Sequence, residues 1–333
     1  MKRALWIGLF AVAAVLPLLL DPRGYWIRVL TLTLLFAAMA QAWNIVGGLA
    51  NQISLGHAAF FGVGAYASTI LLVTYGLTPW IGLVVGAGLA AVAALVIAVP
   101  TMRLQGHYFA LATLAFGEVM RVVANTWASL TGGPVGISVP FLPPNPLMYS
   151  FKTGLPHAYI ALGALALVTL LFEGLRRSAL GYRLRAIREH EPAAEVIGID
   201  TTRVKLIATV ISAAAMGALG TVYAQLALFF DPDTIFGVAP ISIRVALIAI
   251  VGGIGTAVGP ILGALLVIPV EELANDVLSG KAPGLSQLVY GVVLIAVILW
   301  RPRGLVTFFT ARRTVKSRAP GLAPAPEAQR TTP

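Results

Sequence analysis

No aspartate, glutamate, lysine or arginine occurs between Arg28 and Arg103, an unbroken run of 74 residues from Val29 to Met102. Such a run offers nothing with which to clothe a water-facing surface, for which a soluble domain uses roughly 25% charged residues. One helix needs about 20 apolar residues to cross about 30 Å of hydrocarbon, so the run holds three crossings. Gly47-Gly48 ends the first, Gly76 to Pro79 separates the second from the third, and Pro100 ends the third. A membrane barrel would alternate apolar and polar residues in segments of about ten. These segments are apolar on all sides, and a helix satisfies its own backbone polar groups in lipid.

The rest of the chain agrees. Of its 333 residues 58% are hydrophobic and 11% charged, and mean hydropathy is +0.89. A soluble enzyme, a disordered chain and a fibrous protein are all excluded on that composition. There is no cysteine, which removes disulfides, thiolate metal sites and thiol nucleophiles. The four histidines, His57, His107, His157 and His190, include no pair at the i, i+4 spacing of a helical metal site. The net charge of +10 would suggest nucleic acid in a soluble protein. Here the basic residues cluster beside apolar segments, so the positive-inside rule accounts for them and no nucleic-acid partner is expected.

Lys2 and Arg3 precede an apolar run from Ala4 to Leu20, which ends in Leu-Leu-Leu-Asp-Pro without a small-residue cleavage site. It reads as an uncleaved first span. A further span covers Leu104 to Thr126 and carries Glu118 and Arg121. Residues 122–151 hold Pro134, Pro140, Pro143, Pro144 and Pro146, a density hostile to a spanning helix, and read as an ordered external loop. Leu155 to Phe172 is the next span. Residues 173–205 then hold Arg176, Arg177, Arg183, Arg185, Arg188, Arg203 and Lys205 with five acids, a basic excess that places this polar block in the cytoplasm. Arg301, Arg303, Arg312, Arg313, Lys316 and Arg318 make the C-terminal end basic, and a Pro/Ala/Gly-rich tail follows.

Parity limits the topology. Six spans precede the polar block, and an even number must separate it from the basic C-terminal end. The apolar segments available are 206–230, 242–270 and 284–300, so the middle one must break. Its centre, Val251-Gly-Gly-Ile-Gly-Thr-Ala-Val-Gly-Pro260, is a poor helix interior. It either crosses twice or enters and leaves as a re-entrant hairpin, and Arg244 favours the hairpin because a mid-membrane cation is costly. The expected fold is therefore all-α: a polytopic membrane helical bundle with eight to ten transmembrane segments and glycine-interrupted helices. An internal echo pairs Ile45-Val-Gly-Gly-Leu49 with Ile250-Val-Gly-Gly-Ile254, each followed by a further glycine at Gly56 and Gly259. Interrupted helices in related positions are a transporter trait, and glycine pairs also serve tight helix packing.

Four groups of residues could carry function. Gly181 to Arg188 is amphipathic and basic. His190 to Gly198 reads as a short helix with Pro192 at its first helical position and Gly198 as its left-handed stop, and Asp200 caps the helix that follows. Such an element suits a cytoplasmic partner that moves it as a lever, or it is an ordinary basic surface loop. Glu118 and Arg121 lie one turn apart and can pair, as pathway groups or as a structural ion pair near the outer interface. Asn44, Gln52, Ser54 and His57 surround the first glycine break and could line a polar pathway, or simply bond helix to helix. Asp231 and Asp233 follow the 206–230 segment on the outside, as a docking point for a periplasmic partner or a solvated loop end. No G-x-x-x-x-G-K-[ST] motif occurs, so any ATPase engine must be another polypeptide.

Five stretches together resemble the LivM-type permease subunits of branched-chain amino-acid ATP-binding-cassette importers. They are Ile53-Ser-Leu-Gly-His-Ala-Ala-Phe-Phe-Gly-Val-Gly-Ala-Tyr66, Arg103 to Glu118, Thr131-Gly-Gly-Pro-Val-Gly136, Arg185 to Gly198, and Val251 to Pro260. Their order and spacing cover about residues 50–305 and mark the family, though not its solute. The resemblance implies alternating access in the cell inner membrane, no enzymatic activity, and no cofactor in this chain, with ATP-Mg bound by partner subunits. The implied partners are a LivH-like second permease, two cytoplasmic ATPases, a periplasmic solute-binding protein and membrane lipid. It maps the family's cytoplasmic coupling helix onto about Glu191 to Gly198, making Arg185, Arg188, Glu191, Ala193, Ala194, Glu195 and Gly198 the ATPase-coupling residues. Asn44, Gln52, Ser54, His57, Glu118 and Arg121 remain the pathway candidates.

The resulting division has N-terminal transmembrane helices in 1–172 with an external loop at 127–153. A cytoplasmic loop with the coupling helix occupies 173–205. C-terminal transmembrane helices fill 206–303, and a cytoplasmic tail runs from 304 to 333, with both termini inside. The solute expected is a branched-chain or related hydrophobic amino acid. A urea or short-amide permease of the same architecture is the near alternative, separable by uptake assays after exchange of the binding protein. An ion-coupled secondary transporter would lose uptake at once when the proton gradient is dissipated at constant ATP, and a channel would pass solute without nucleotide.

Overall fold

The computed structural model describes residues 2–102, 104 and 106–278, seven positions from 285 to 299, and residues 304–306. The expected 284–300 span and the tail beyond 306 thus fall largely outside the described residues. Within them the chain is an all-α bundle, and seven segments are long and apolar enough to cross a membrane. Helix α1 (Lys2–Val15) passes into a 3-10 turn, Leu16–Leu19. Pro17 sits in that turn and has no N–H to continue the α-helical ladder. The expected single span from Ala4 to Leu20 is therefore divided and shorter than a full crossing.

The central helix is α2 (Tyr25–Leu49), buried along almost its entire length. It packs against α7 (Leu155–Arg177), α10 (Thr201–Ala227), α12 (Arg244–Gly252) and α13 (Gly259–Leu278). A second layer is made by α3 (His57–Tyr75) and α4 (Pro79–Thr101), which pack on each other and on α10. Small residues permit that close approach. A Cβ on Gly64 would stand 1.9 Å from the Gly217 carbonyl oxygen, and one on Gly220 would stand 2.1 Å from that of Phe61. Helix α5 (His107–Thr126) lies at the periphery with most of its surface free. Helix α4 runs through Pro100 to Thr101 rather than stopping before it.

The proline-rich segment after α5 is ordered by short elements. These are α6 (Ala128–Thr131), a 3-10 turn at Gly133–Val135, strand β1 (Ile137–Ser138) and a second 3-10 turn at Pro146–Met148. Strand β1 pairs antiparallel with β2 (Phe229–Phe230) beyond the end of α10. The Trp80 ring lies tilted against that of Tyr149, centroids 5.3 Å apart, and its Nε1 donates to the Pro146 carbonyl at 3.1 Å, so this segment closes over the start of α4. The polar block forms α8 (Ala179–Glu189) and α9 (Glu191–Val196) at the other end of the bundle.

The glycine-rich 251–260 segment breaks as expected. After β2 come α11 (Pro232–Ile235) and a π-helical turn, Val238–Ile243, leading into α12. Pro232–Gly252 is long enough to cross. Helix α13 then returns antiparallel, with Gly263 against the Ile248 carbonyl and Arg244 paired with Glu271. Arg244 is thus no argument for a re-entrant hairpin. Its Nε donates to Glu271 Oε2 at 2.8 Å and its guanidinium lies 4.5 Å from the Phe36 ring centroid, so the cation is compensated in place. Leu305 and Val306 donate their N–H groups to the carbonyls of Val251 and Gly252. The start of the tail and the polar block consequently share one end of the bundle.

Candidate functional site

The two glycine echoes meet in space. Asn44, in the last two turns of α2, donates through Nδ2 to the Thr256 carbonyl at 2.9 Å, and its Oδ1 accepts from the Gly255 N–H at 2.8 Å. One fully buried side-chain amide therefore clasps the turn between α12 and α13. The packing leaves no space for side chains. A Cβ on Gly48 would lie 2.8 Å from the Gly255 nitrogen, and one on Gly255 would lie 3.0 Å from the Gly48 carbonyl oxygen. Helix α2 ends at Leu49, so its last carbonyls lack helical partners. The Gly48 carbonyl accepts a bond at 2.7 Å from Arg188 Nη1, reaching over from α8. Arg188, a coupling candidate, thereby reaches the end of the helix whose Asn44 clasps the α12–α13 turn.

His57 opens α3, part-way into the bundle, after a loop at 50–56. It is completely buried. Its Nδ1 and Nε2 each lie 2.9 Å from a serine hydroxyl, Ser54 and Ser212 respectively. Ser212 donates its proton to the Ala42 carbonyl at 2.7 Å. It can then only accept from Nε2–H, leaving Nδ1 to accept from Ser54. Both ring nitrogens are satisfied with one proton between them, which ties the 50–56 loop, the start of α3 and the middle of α10 to α2. Ser54 is held further by its carbonyl, which accepts from Trp43 Nε1 at 2.8 Å. Ser242 accepts from the Ala58 N–H at 2.8 Å. Gln52 stays apart from this node, and its side-chain oxygen is buried without a partner. Ser212, Ser242 and Thr256 were not among the sequence candidates. For Ser212 and Ser242 the signal is a hydroxyl in an apolar stretch, and for Thr256 its place in the glycine-rich 251–260 segment.

In the polar block, the Ser178 side chain caps α8 by accepting from Gly181 N–H. Leu184 and Ile187 form its buried stripe, packing with Ile45 and Leu49 of α2, Phe172, Ala194 and Val204. His190 caps α9, its Nδ1 accepting from Ala193 N–H at 3.1 Å. Gly198 follows with φ +86° and Asp200 caps α10 by accepting from Arg203 N–H at 2.9 Å, both as the spacing predicts. Helix α9 is locked to α10 on one side. Lys205, only 1% exposed, pairs with Glu191 Oε1 at 2.5 Å, and Thr201 donates to Glu195 Oε1 at 2.7 Å. Ala194 is buried, while Ala193 faces out. Val196 and Ile197 are 88% and 74% exposed, an apolar tip that the sequence reading overlooked. Arg185 stays local, bonding the Gly181 and Arg176 carbonyls and lying over the Tyr182 ring at 4.4 Å.

At the opposite end Arg121 Nε donates to both Glu118 oxygens at 3.0 and 3.1 Å. Asp233 joins them, pairing with Arg121 and accepting from Asn125 Nδ2 at 2.9 Å. The pair expected within α5 is thus a three-member ionic cluster linking α5 to α11. Among the described residues no group of three or more His, Asp or Glu side chains has the arrangement of a metal site.

Comparison with known proteins adds the following. The family described as branched-chain amino acid transport system, permease component, matches residues 25–298. The chain is 31% identical to the high-affinity branched-chain amino acid transport system permease protein LivM of Escherichia coli, over 94% of this chain and 77% of that one. It is 26% identical to the nucleoside permease protein NupC of Lactococcus lactis, over 80% and 88% of the two chains. It is 25% identical to the LivH permease protein of E. coli, over 83% and 92%.

Proposed function

The chain belongs to the family of branched-chain amino acid transport permease components, and from that premise we propose that it is the membrane-embedded permease subunit of an ATP-binding-cassette importer for branched-chain amino acids. It is a transport component and not an enzyme. A second permease subunit related to LivH completes the membrane domain, two ATPase subunits bind ATP-Mg, and a solute-binding protein delivers the amino acid. The polar block and both termini face the cytoplasm, and residues 127–153 face outward.

The observation that carries the mechanism is the double attachment of the α8–α9 segment. Its outer face offers Val196 and Ile197 to a partner. Its inner face is fixed to α10 through Glu191–Lys205 and Glu195–Thr201, and to the α2 and α12–α13 junction through Arg188. A displacement of α9 by closing ATPases is delivered to α10 directly and to the glycine junction through Arg188. The Asn44 clasp holds that junction together, so α2 and the α12–α13 turn move as one. Arg185, Ala193, Ala194 and Gly198 shape the segment, while Asn44, Ser54 and His57 are packing nodes that transmit the rocking. Gln52 and the Glu118–Arg121–Asp233 cluster remain candidates for the solute route and for the outer docking surface.

The test is ATP-dependent uptake of labelled leucine in vesicles carrying the full set of subunits. Saturable leucine uptake that excess isoleucine and valine suppress, and urea and nucleosides do not, is the expected result. Uptake of urea or a nucleoside in place of leucine would overturn the substrate. Uptake lost on dissipating the proton gradient at constant ATP would overturn the energy source.

A further inference from the structure

Between α8, the 197–200 linker and the first turns of α10 lies a cleft of about 630 Å³. Arg183, Arg203, Leu180, Ile197 and Ile207 line it, together with Asp200. The other arginines of the polar block are all engaged: Arg176 and Arg177 with Glu173, Arg185 with two carbonyls, Arg188 with Gly48. Among the described residues, neither the Arg183 nor the Arg203 guanidinium makes a hydrogen bond or ion pair. Only the backbone N–H of Arg203 is used, and that bond commits one Asp200 oxygen to helix capping. Two unpaired guanidinia therefore share one cleft, outnumbering its single carboxylate.

The apolar wall has a direction. Ile207 lies six positions into the spanning helix α10, about 9 Å along its axis, and is 36% exposed. From the charged opening the surface thus continues down the flank of a membrane span. A soluble protein partner has no access along that flank, whereas an amphiphile with an anionic head and an apolar tail matches both parts. Guanidinium groups present forked donors to phosphate oxygens, and basic pockets beside span ends attract anionic lipid.

We propose that this cleft binds the phosphodiester headgroup of an anionic phospholipid, with Arg183 and Arg203 on the phosphate and Leu180 and Ile207 against the start of an acyl chain. The site adjoins the linker behind α9, so the lipid braces the segment that the ATPases are proposed to move. Its existence does not depend on the transported solute.

The experiment uses the full-length protein, purified with the subunits that accompany it, delipidated, and titrated with phosphatidylglycerol or phosphatidylcholine of equal chain length under native mass spectrometry. Wild type should retain phosphatidylglycerol roughly tenfold better. Arg183→Gln/Arg203→Gln should abolish that preference, Arg183→Lys/Arg203→Lys should keep most of it, and Arg177→Gln, outside the cleft, should leave it intact. An equal loss in Arg177→Gln would mean diffuse surface charge and overturn the site. Inorganic phosphate binding as tightly as the lipid would make it a free-anion site and overturn the lipid assignment. Unchanged lipid preference in Arg183→Gln/Arg203→Gln, with loss of the accompanying ATPase, would assign the arginines to a protein interface and overturn the proposal.

Discussion

At the scale of single residues, the bundle depends on positions where one atom decides the spacing. A Cβ at Gly64 would meet the backbone of Gly217, which cannot rotate away. Gly64→Ala is expected to cost about 1–3 kcal/mol through overpacking, whereas Gly163→Ala, with open space around it, should cost nothing measurable. Thermal unfolding of the two variants in detergent checks this, and equal melting temperatures would contradict the close-approach reading. His57 makes the complementary case. Its two serine partners and its complete burial describe a helix-joining ring. His57→Ala should lower stability by about 1–3 kcal/mol, because the buried Ser54 hydroxyl loses its partner. A large loss of uptake with unchanged melting would instead assign His57 to the solute route.

At the scale of elements, α9 has only six residues and cannot hold itself together in isolation. It is maintained by its caps and by two bonds to α10. Glu191→Gln strands the buried Lys205 ammonium without a counter-charge, and about 3–5 kcal/mol is the expected cost. Adding Lys205→Met removes the stranded charge and should restore much of that loss. Melting temperatures of the two singles and the double close the cycle, and additive losses would mean the pair is not coupled. Arg188 tests the second attachment. Arg188→Ala should leave ATP hydrolysis by the assembled importer close to wild type while leucine moved per ATP falls several-fold, because the Gly48 carbonyl loses its donor. A parallel fall in both activities would show that Arg188 serves assembly instead.

At the scale of the whole molecule, the polar block and Leu305–Val306 gather at one end, and the proline-rich 127–153 segment closes the other. The chain has no cysteine, so single thiols report sidedness cleanly. In intact cells Pro144→Cys should react with an impermeant maleimide and Ala193→Cys should not, reversing only after permeabilisation. Labelling of Ala193→Cys in intact cells would invert the topology and remove the coupling proposal with it.

The division between what was legible and what was not follows the range of the forces. Burial in lipid is set by composition over stretches of about twenty residues. The helical bundle, the breaks near Gly47–Gly48 and 251–260, and the caps at Asp200 and Gly198 were therefore readable from consecutive residues. The junctions were not. Nothing local says that Asn44 should clasp Gly255 and Thr256, more than two hundred residues away, or that Asp233 should complete the Glu118–Arg121 pair. Nor does it say that Glu271 should neutralise Arg244, so the cost of that cation cannot be judged from its own segment. In an apolar bundle a polar side chain finds its partner on whichever helix lies opposite. Only the tertiary packing of the bundle determines which helix that is.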